Sequence, residues 1–284
     1  MLIPTPRKTV HAFFNGEILP FDRAHLALND IGILRGYGVC DVARTRNRKP
    51  FVLERHLVRF RTGADRFRIR IPYSDRQLEQ AITDLVQLNT TGEASIKMIA
   101  TGGVTLDGTT FNPETPTVYI MVSDFTPLPE HYFSQGVKLI THQYQRPFPE
   151  TKSLNYITMV EAQPLRDAAS AFELLYADGD YVREAATSNV FMVKGGTVTT
   201  PDTDILAGIS RSLALELIQA SHAVEERLIL LKELLAADEV FLTATNKDIL
   251  PVVAIDAVRI GNGTPGSVTT RLLKQFRSYA NEST

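Results

Sequence analysis

The stretch Pro149-Glu150-Thr151-Lys152-Ser153-Leu154-Asn155-Tyr156-Ile157-Thr158-Met159-Val160-Glu161 decides how the rest of the chain is read. Ser153 suits a helix N-cap, and Ile157, Met159 and Val160 supply an apolar face behind it. The spacing therefore predicts a helix from Ser153 to the neighbourhood of Ala169. Lys152 then stands at the mouth of that helix against apolar neighbours. Desolvation disfavours the ammonium form of a lysine and frees its amine as a nucleophile, which is what a Schiff-base lysine requires. A lysine taken at random is an exposed loop residue, so the reading depends on companions elsewhere in the chain.

Working outward, the totals set the class. The chain has 284 residues, 44% of them hydrophobic and 22% charged, which is enough for two modest domains with real cores. A net charge of −2 gives no bulk attraction to nucleic acid or to an acidic membrane. Cys40 is the single cysteine, so no intramolecular disulfide forms, and a small buried side chain in a reducing, cytoplasmic compartment is expected. The N-terminal MLIPTPRKTVHAFF has no leader-like apolar core, and no apolar run is long enough for a membrane span.

Before the lysine, Val10 to Phe14, Asn15-Gly16 and Glu17 to Leu19 read as a hairpin with a type I′ turn. Asn29 to Thr45 reads as a loop feeding a strand over Gly38 to Thr45. Phe51 to Arg70 has helical spacing, Ser74 caps a second helix over Asp75 to Asn89, and Ser95 to Gly102 and Thr117 to Ser123 read as strands. Pro127 and Pro129 mark the boundary. We therefore expect an N-terminal domain over 1–124, a linker over 125–135 and a C-terminal domain over 136–284 that carries the lysine. That second part opens on a strand over Gly136 to Gln143. Hairpins follow around Asp178-Gly179 and Gly195-Gly196, then a helix from Ile209, a short helix from Leu231, a strand over Glu239 to Thr243 and a closing helix from Ser267. Strands and helices occur without regular alternation, so the class is α+β.

Three signals are weaker than they look. Gly261-Asn262-Gly263-Thr264-Pro265-Gly266 matches a dinucleotide fingerprint, but no further strand or ribose-binding acid follows it. The basic run from Arg44 to Arg70 has an amphipathic period and reads as a solvated helix face rather than a nucleic-acid groove. The six histidines lack metal-ligand spacing, so no metal is expected.

Four other pieces fit one task, holding an anionic phosphate and a cationic aromatic ring beside an amine. Arg59 on its helix can fork two hydrogen bonds to a phosphate. Gly208-Ile209-Ser210-Arg211 opens a helix and offers free N–H groups and a hydroxyl. Thr243-Ala244-Thr245 follows a strand and adds hydroxyls. Glu184, at the end of a strand, can pair with a protonated ring nitrogen.

In this order the pieces resemble the fold-type IV pyridoxal-phosphate enzymes, a family of branched-chain aminotransferases, D-amino-acid aminotransferases and aminodeoxychorismate lyases. The resemblance runs from Phe13-Phe14-Asn15-Gly16 through His56 and Arg59, Lys152-Ser153-Leu154-Asn155, Arg183-Glu184-Ala185-Ala186-Thr187-Ser188-Asn189 and Leu206-Ala207-Gly208-Ile209-Ser210-Arg211 to Thr245-Asn246-Lys247-Asp248-Ile249-Leu250-Pro251. It implies a small N-terminal and a larger C-terminal domain with a barrel-like core, pyridoxal 5′-phosphate as cofactor, and a homodimer. It also implies roles. Lys152 forms the Schiff base and shuttles the proton, and Arg59, Ile209, Ser210 and Thr245 bind the phosphate. Glu184 keeps the pyridine nitrogen protonated, Leu206 packs under the ring, and Tyr156 meets the ring hydroxyl.

The substrate end departs from the pattern. The strand reads Gly38-Val39-Cys40-Asp41, without the tyrosine of D-amino-acid enzymes, and the loop from Thr101 to Gly108 lacks their Arg-x-His pair. Arg35 and Lys97 stand where relatives differ, which points to binding of substrate carboxylates, with Arg35 coming from the partner subunit. The reading is a transaminase moving the amino group of a D-amino acid to 2-oxoglutarate. An L-branched-chain aminotransferase asks for more aromatic lining than Phe13, Tyr37 and Phe111. An aminodeoxychorismate lyase asks for more arginine after Gly102. A cofactor binder without catalysis is argued against by intact Lys152, Glu184 and Arg59.

Overall fold

The computed structural model describes residues 10–283, and the counts below are of those residues. The first nine residues of the stretch examined for a leader lie outside them. The chain forms two compact units. One comprises residues 10–126 together with Thr151–Asn155, and the other comprises Pro127–Glu150 and Tyr156–Ser283.

The first unit is a six-stranded sheet whose strands, in spatial order, are Glu17–Pro20, His11–Phe14, Thr117–Asp124, Ala94–Thr101, Gly38–Arg46 and Lys49–Pro50. The opening hairpin forms as its sequence requires, with Asn15 and Gly16 at φ of 47° and 100°, the left-handed pair of a tight turn. Strand alternation then sorts the side chains. Phe13, Val39, Ala43, Ile96, Met98, Ala100, Val118, Ile120 and Val122 form one buried core with Leu57, Phe60, Ala64, Leu78, Ile82 and Leu85. Those partners come from the helices Leu53–Arg66 and Asp75–Asn89, the second entered through a Ser74–Gln77 capping box. The opposite sheet face carries Cys40, Val42, Lys97, Ile99, Tyr119, Met121 and Phe14, in register across the strands. Phe13 belongs to the core, where it meets Tyr73 edge-on. Tyr37 stacks on Phe67 and touches Phe111. Phe14 and Tyr119 face the other way.

The region expected as a loop after Asn29 contains one short helix, Ile31–Arg35. Asp30 caps it by accepting from the Gly32 N–H, and Gly36 ends it in the left-handed conformation.

The second unit is a ten-stranded sheet, mostly antiparallel, with parallel pairings where Val137–Gln143 lies between Asp248–Ile255 and Glu173–Asp178. Both hairpins expected around glycines are present, with Gly195 and Gly196 at φ of 56° and 83°. The strand Asp248–Ile255 is not visible in the sequence pattern because Pro251 lies in its middle. Pro251 sits opposite Phe241, just before the parallel pairing begins at Val252. The helices Ile209–Ile218 and Ser267–Glu282 pack on this sheet.

The Gly261–Gly266 segment is a turn whose following helix already holds an anion. Glu239 accepts from the N–H groups of Val268 and Thr269, and a Cβ on Gly266 would lie 1.9 Å from the Glu239 carboxyl carbon. The chain's own carboxylate fills the seat that a phosphate would need.

Leu57 is 1% exposed at the centre of the first unit's core. Leu57→Ala is expected to cost about 2–5 kcal/mol, read as a lower urea midpoint with an unchanged slope.

Candidate active site

The lysine segment differs from its expected form. Residues 151–155 do not open a helix; they are extended and pair with the Gly38–Arg46 strand. The Cys40 N–H donates to the Lys152 carbonyl at 2.8 Å, the Leu154 N–H donates to the Gly38 carbonyl at 3.0 Å, and Ser153 bridges Val39. Their backbone groups serve a ladder, so Ser153 is not an N-cap. The helix starts only at Ile157, after Tyr156, and it breaks at Ala162 because Pro164 lies in the first turn of the next helix, Gln163–Ala168. Ile157 and Val160 are exposed rather than an apolar backing. Lys152 owes its place to strand pairing.

That pairing sets Lys152 beside Cys40 on the open face of the first sheet. Burial pushes the Cys40 thiol's pKa up, and the charges of Lys152, Lys97 and Arg59 pull it the other way. The thiol donates to the Ser153 carbonyl at 3.9 Å, a second link to the lysine segment. Lys97 is exposed on this face. Arg35 is exposed at the end of its helix. It donates to the Leu34 carbonyl at 2.9 Å and lies next to Gly108, in the loop that Asp107 organises by accepting from the N–H groups of Thr109 and Thr110.

Arg59 projects from the helix Leu53–Arg66 toward the strand beneath it. Its Nε and Nη2 fork onto Asp41 at 2.8 and 2.9 Å, and His56 Nδ1 lies 2.7 Å from the same carboxylate. The fork expected for a phosphate thus orients the guanidinium on Asp41. Asp41 has no exposed surface. Burial alone would raise its pKa; the Arg59 charge and the His56 hydrogen bond reverse that and hold it well below the usual carboxylate range. Its signal was available, since a carboxylate between Val39 and Ala43 on a core-facing strand needs a buried cation.

In the second unit Glu184, Leu206, Ile209 and Ser210 come together, all of them buried. Glu184 Oε1 accepts from Arg146 at 2.8 Å. Its Oε2 accepts from the Leu206 N–H at 3.0 Å and from Asn189 Nδ2 at 3.3 Å. Asn189 also donates to the Leu206 carbonyl at 2.8 Å. The helix carrying Ile209 and Ser210 starts at Gly208, which no side chain caps. A Cβ on Gly208 would lie 2.0 Å from Asn189 Oδ1, so only glycine fits there. Across the ladder from Asn189 stands Thr243, buried, with no hydrogen-bond partner for its hydroxyl. An uncapped helix start near an orphaned hydroxyl suits an anionic group, and a buried carboxylate held on three donors suits a protonated ring nitrogen. The residues therefore fit pyridoxal phosphate. Thr245 lies in the turn two residues beyond Thr243, and Tyr156 is half-buried just before its helix.

Arg146, Asn189 and Asp41 were not among the expected site residues. Arg146 sits in Arg146-Pro147-Phe148-Pro149, which has no period to read. Arg183, next to Glu184, is engaged by Asp178 and Asp204 at 3.1 and 3.0 Å.

Comparison with known proteins points to a family of this kind. The family model for amino-transferase class IV matches residues 38–255. A putative branched-chain-amino-acid aminotransferase of Methanocaldococcus jannaschii is 31% identical over 278 residues, covering 93% of this chain and 94% of its own. A D-alanine aminotransferase of Bacillus licheniformis is 30% identical over 264 residues, covering 90% and 92%. Among solved structures, a T.th. branched-chain amino acid aminotransferase with pyridoxamine 5′-phosphate superposes with a TM-score of 0.89 at 27% identity, covering 98% of this chain and 96% of that one.

The Asp41 fork yields a prediction with a definite sign. A carboxylate whose pKa is depressed on folding stabilises the fold above its unfolded value of 3.8, and that contribution is lost as pH falls below it. Asp41→Asn leaves Arg59 facing a neutral amide and is expected to cost about 3 kcal/mol or more at neutral pH. The gap from the parent should narrow by roughly half at about pH 2.5, because Asp41 is then protonated in the unfolded chain while still ionised in the folded one. Urea unfolding of both proteins at the two pH values checks this.

Proposed function

The chain belongs to the class IV aminotransferases, and on that premise we propose that it moves the amino group of a D-amino acid to 2-oxoglutarate, with Lys152 holding the cofactor. Pyridoxal phosphate, the cofactor of this family, supplies when bound the electron sink that lets charge leave the substrate Cα. The chain's own residues do the rest. The Lys152 amine moves the proton at the substrate Cα, and the strand pairing of residues 152–154 fixes where that amine starts. Glu184, steadied by Arg146, Asn189 and the Leu206 N–H, holds the proton on the ring nitrogen. Ile209, Ser210 and Thr245 take the phosphate at the helix start, and Arg59, aimed by Asp41, adds a cation for it. Leu206 packs under the ring, and Tyr156 meets the ring hydroxyl.

The observation that carries the substrate reading is Lys97. It stands on the sheet face of Cys40, whose thiol lies in the field of both Lys97 and Lys152. A cation on the same sheet face as the Lys152 amine suits the second carboxylate of D-glutamate or 2-oxoglutarate. Arg35, brought by the partner subunit, serves the other carboxylate. A branched-chain preference is the second reading, favoured by Val42, Ile99 and Met121 on that same face.

The first unit's surface supports a homodimer. Leu106 is 99% exposed and Leu28 88%, with Ile33, Leu34 and Val104 also open, and Leu34 packs against Gly108 in the Leu106 loop. A second copy is the occupant that would also deliver Arg35. The one buried, unpaired cysteine suits the reducing, cytoplasmic compartment expected for the enzyme. Among the described residues, no helix is long and apolar enough to cross a membrane.

The deciding measurement is the half-reaction without acceptor. D-glutamate and D-alanine should discharge the cofactor's visible band and L-leucine should not, with 2-oxoglutarate restoring it. Discharge by L-leucine alone moves the protein to the branched-chain group. Lys152→Ala should lower turnover about a thousandfold. Lys97→Met and Arg35→Ile should each raise KM for 2-oxoglutarate about tenfold, and an unchanged KM in both would sink the carboxylate assignment. Sedimentation should show a dimer for the parent and a monomer for Leu106→Asp.

A further inference from the structure

A buried charge cluster in the second unit lies just behind the residues assigned to the cofactor. Asn189 and Thr243 face each other on neighbouring strands, so the turn before Asn189 and the turn after Thr243 stand side by side at one end of the sheet. The first turn, 185–188, joins Glu184 to Asn189 and is closed by the Ala185 N–H donating to the Ser188 carbonyl at 2.8 Å. The second turn carries Thr245 and Lys247 between the strands Glu239–Ala244 and Asp248–Ile255.

Lys247 crosses from the second turn to the first. Its Nζ donates to Thr187 Oγ1 at 2.5 Å, to Ser188 Oγ at 2.8 Å and to Glu173 Oε2 at 2.7 Å, which uses all three ammonium donors. Glu173, on a third strand, accepts in addition from the Thr187 N–H, from Thr187 Oγ1 at 2.7 Å and from Ser188 Oγ at 2.9 Å. Both charged side chains are 7% exposed. Burial would raise the Glu173 pKa, but the Lys247 charge and the Thr187 hydrogen bonds outweigh it and keep the carboxyl below its ordinary range. A buried ion pair is seldom the most stable way to fill such a space, since apolar side chains of similar volume often do as well or better. What this pair does that apolar groups would not is tie one turn to the other through directed bonds.

We propose that the Glu173–Lys247 pair is a positioning clamp that fixes the separation between the Glu184–Asn189 turn and the Thr245 turn. Lys247 and Glu173 are then positioning residues; they touch neither ring nor phosphate. The proposal rests on Glu184 being the ring-nitrogen partner and Thr245 a phosphate ligand. A cofactor that must satisfy both ends at once gains from a fixed separation, while one that uses the ring end alone does not.

That difference supplies the test. Apoprotein is titrated with pyridoxal 5′-phosphate and, separately, with pyridoxal, which lacks the phosphate, and the two affinities are compared as a ratio. The double variant Glu173→Gln/Lys247→Met removes both charges and avoids a lone buried ion. Its ratio should fall about tenfold while its thermal midpoint stays near the parent's. Thr187→Val with Ser188→Ala keeps the ion pair but cuts its grip on the turn, and the ratio should fall about threefold even if the double variant does not fold. Destabilisation alone would weaken both ligands together. An unchanged ratio in whichever of these variants folds overturns the clamp. The underlying assignments are read separately, since Thr245→Val should lower the ratio and Glu184→Gln should weaken both ligands. If those two changes have no effect, the site reading falls and the clamp falls with it.

Discussion

Two backbone hydrogen bonds decide where Lys152 sits. The Cys40 N–H to Lys152 carbonyl bond and the Leu154 N–H to Gly38 carbonyl bond make residues 152–154 an added rung beside the Gly38–Arg46 strand. Main-chain pairing of this kind specifies position without committing any side chain, so the lysine, the serine and the leucine remain available for other contacts. It also places Lys152 by a rigid element rather than by the tip of a loop, which suits a group that must meet a reacting carbon within a fraction of an ångström. Asp41, one residue along the same strand, points to the opposite face and aims Arg59. A single strand thus sets the lysine through its edge and the arginine through its core face.

The sequence shows most clearly what local chemistry writes. Asn15-Gly16 and Gly195-Gly196 state their turns because each needs positive φ, and Ser74 with Gln77 states a helix start because the two side chains answer each other's N–H groups. The uncapped helix start at Gly208 is similarly legible, since a glycine before a helical run marks a start that no side chain caps. Strand alternation around Ala43 and Ile96 separates core from open face, although it was not enough to show which way Phe13 and Phe14 point.

Long-range pairing is written elsewhere in the chain and cannot be read from the segment itself. Ser153 through Val160 has the composition of a capped helix, yet the partner that makes residues 152–154 extended lies more than a hundred residues earlier, as the Cys40–Ser153 separation of 113 shows. The strand Asp248–Ile255 is hidden for the opposite reason, because Pro251 argues locally against a strand that its two neighbours impose. Arg146 and Asn189 carry no periodic signal; only the carboxylate they share gives them meaning. Glu239 shows how the same local motif can mislead, since the glycine-rich turn it serves resembles a phosphate loop and is already neutralised from within.

The added rung also bears on how the chain is made. The first unit is not a contiguous stretch, for its sheet gains the 151–155 segment only after the chain has passed through Pro127–Glu150 in the second unit. During synthesis the Gly38–Cys40 edge has to wait, its N–H and C=O groups open, until residue 155 has left the ribosome. Closure of so distant a pair is slow compared with formation of the opening hairpin or the two core helices. Lys152 therefore reaches its place as one of the last acts of the first unit's folding. A chain truncated before Lys152 would expose a sticky strand edge in place of a completed sheet.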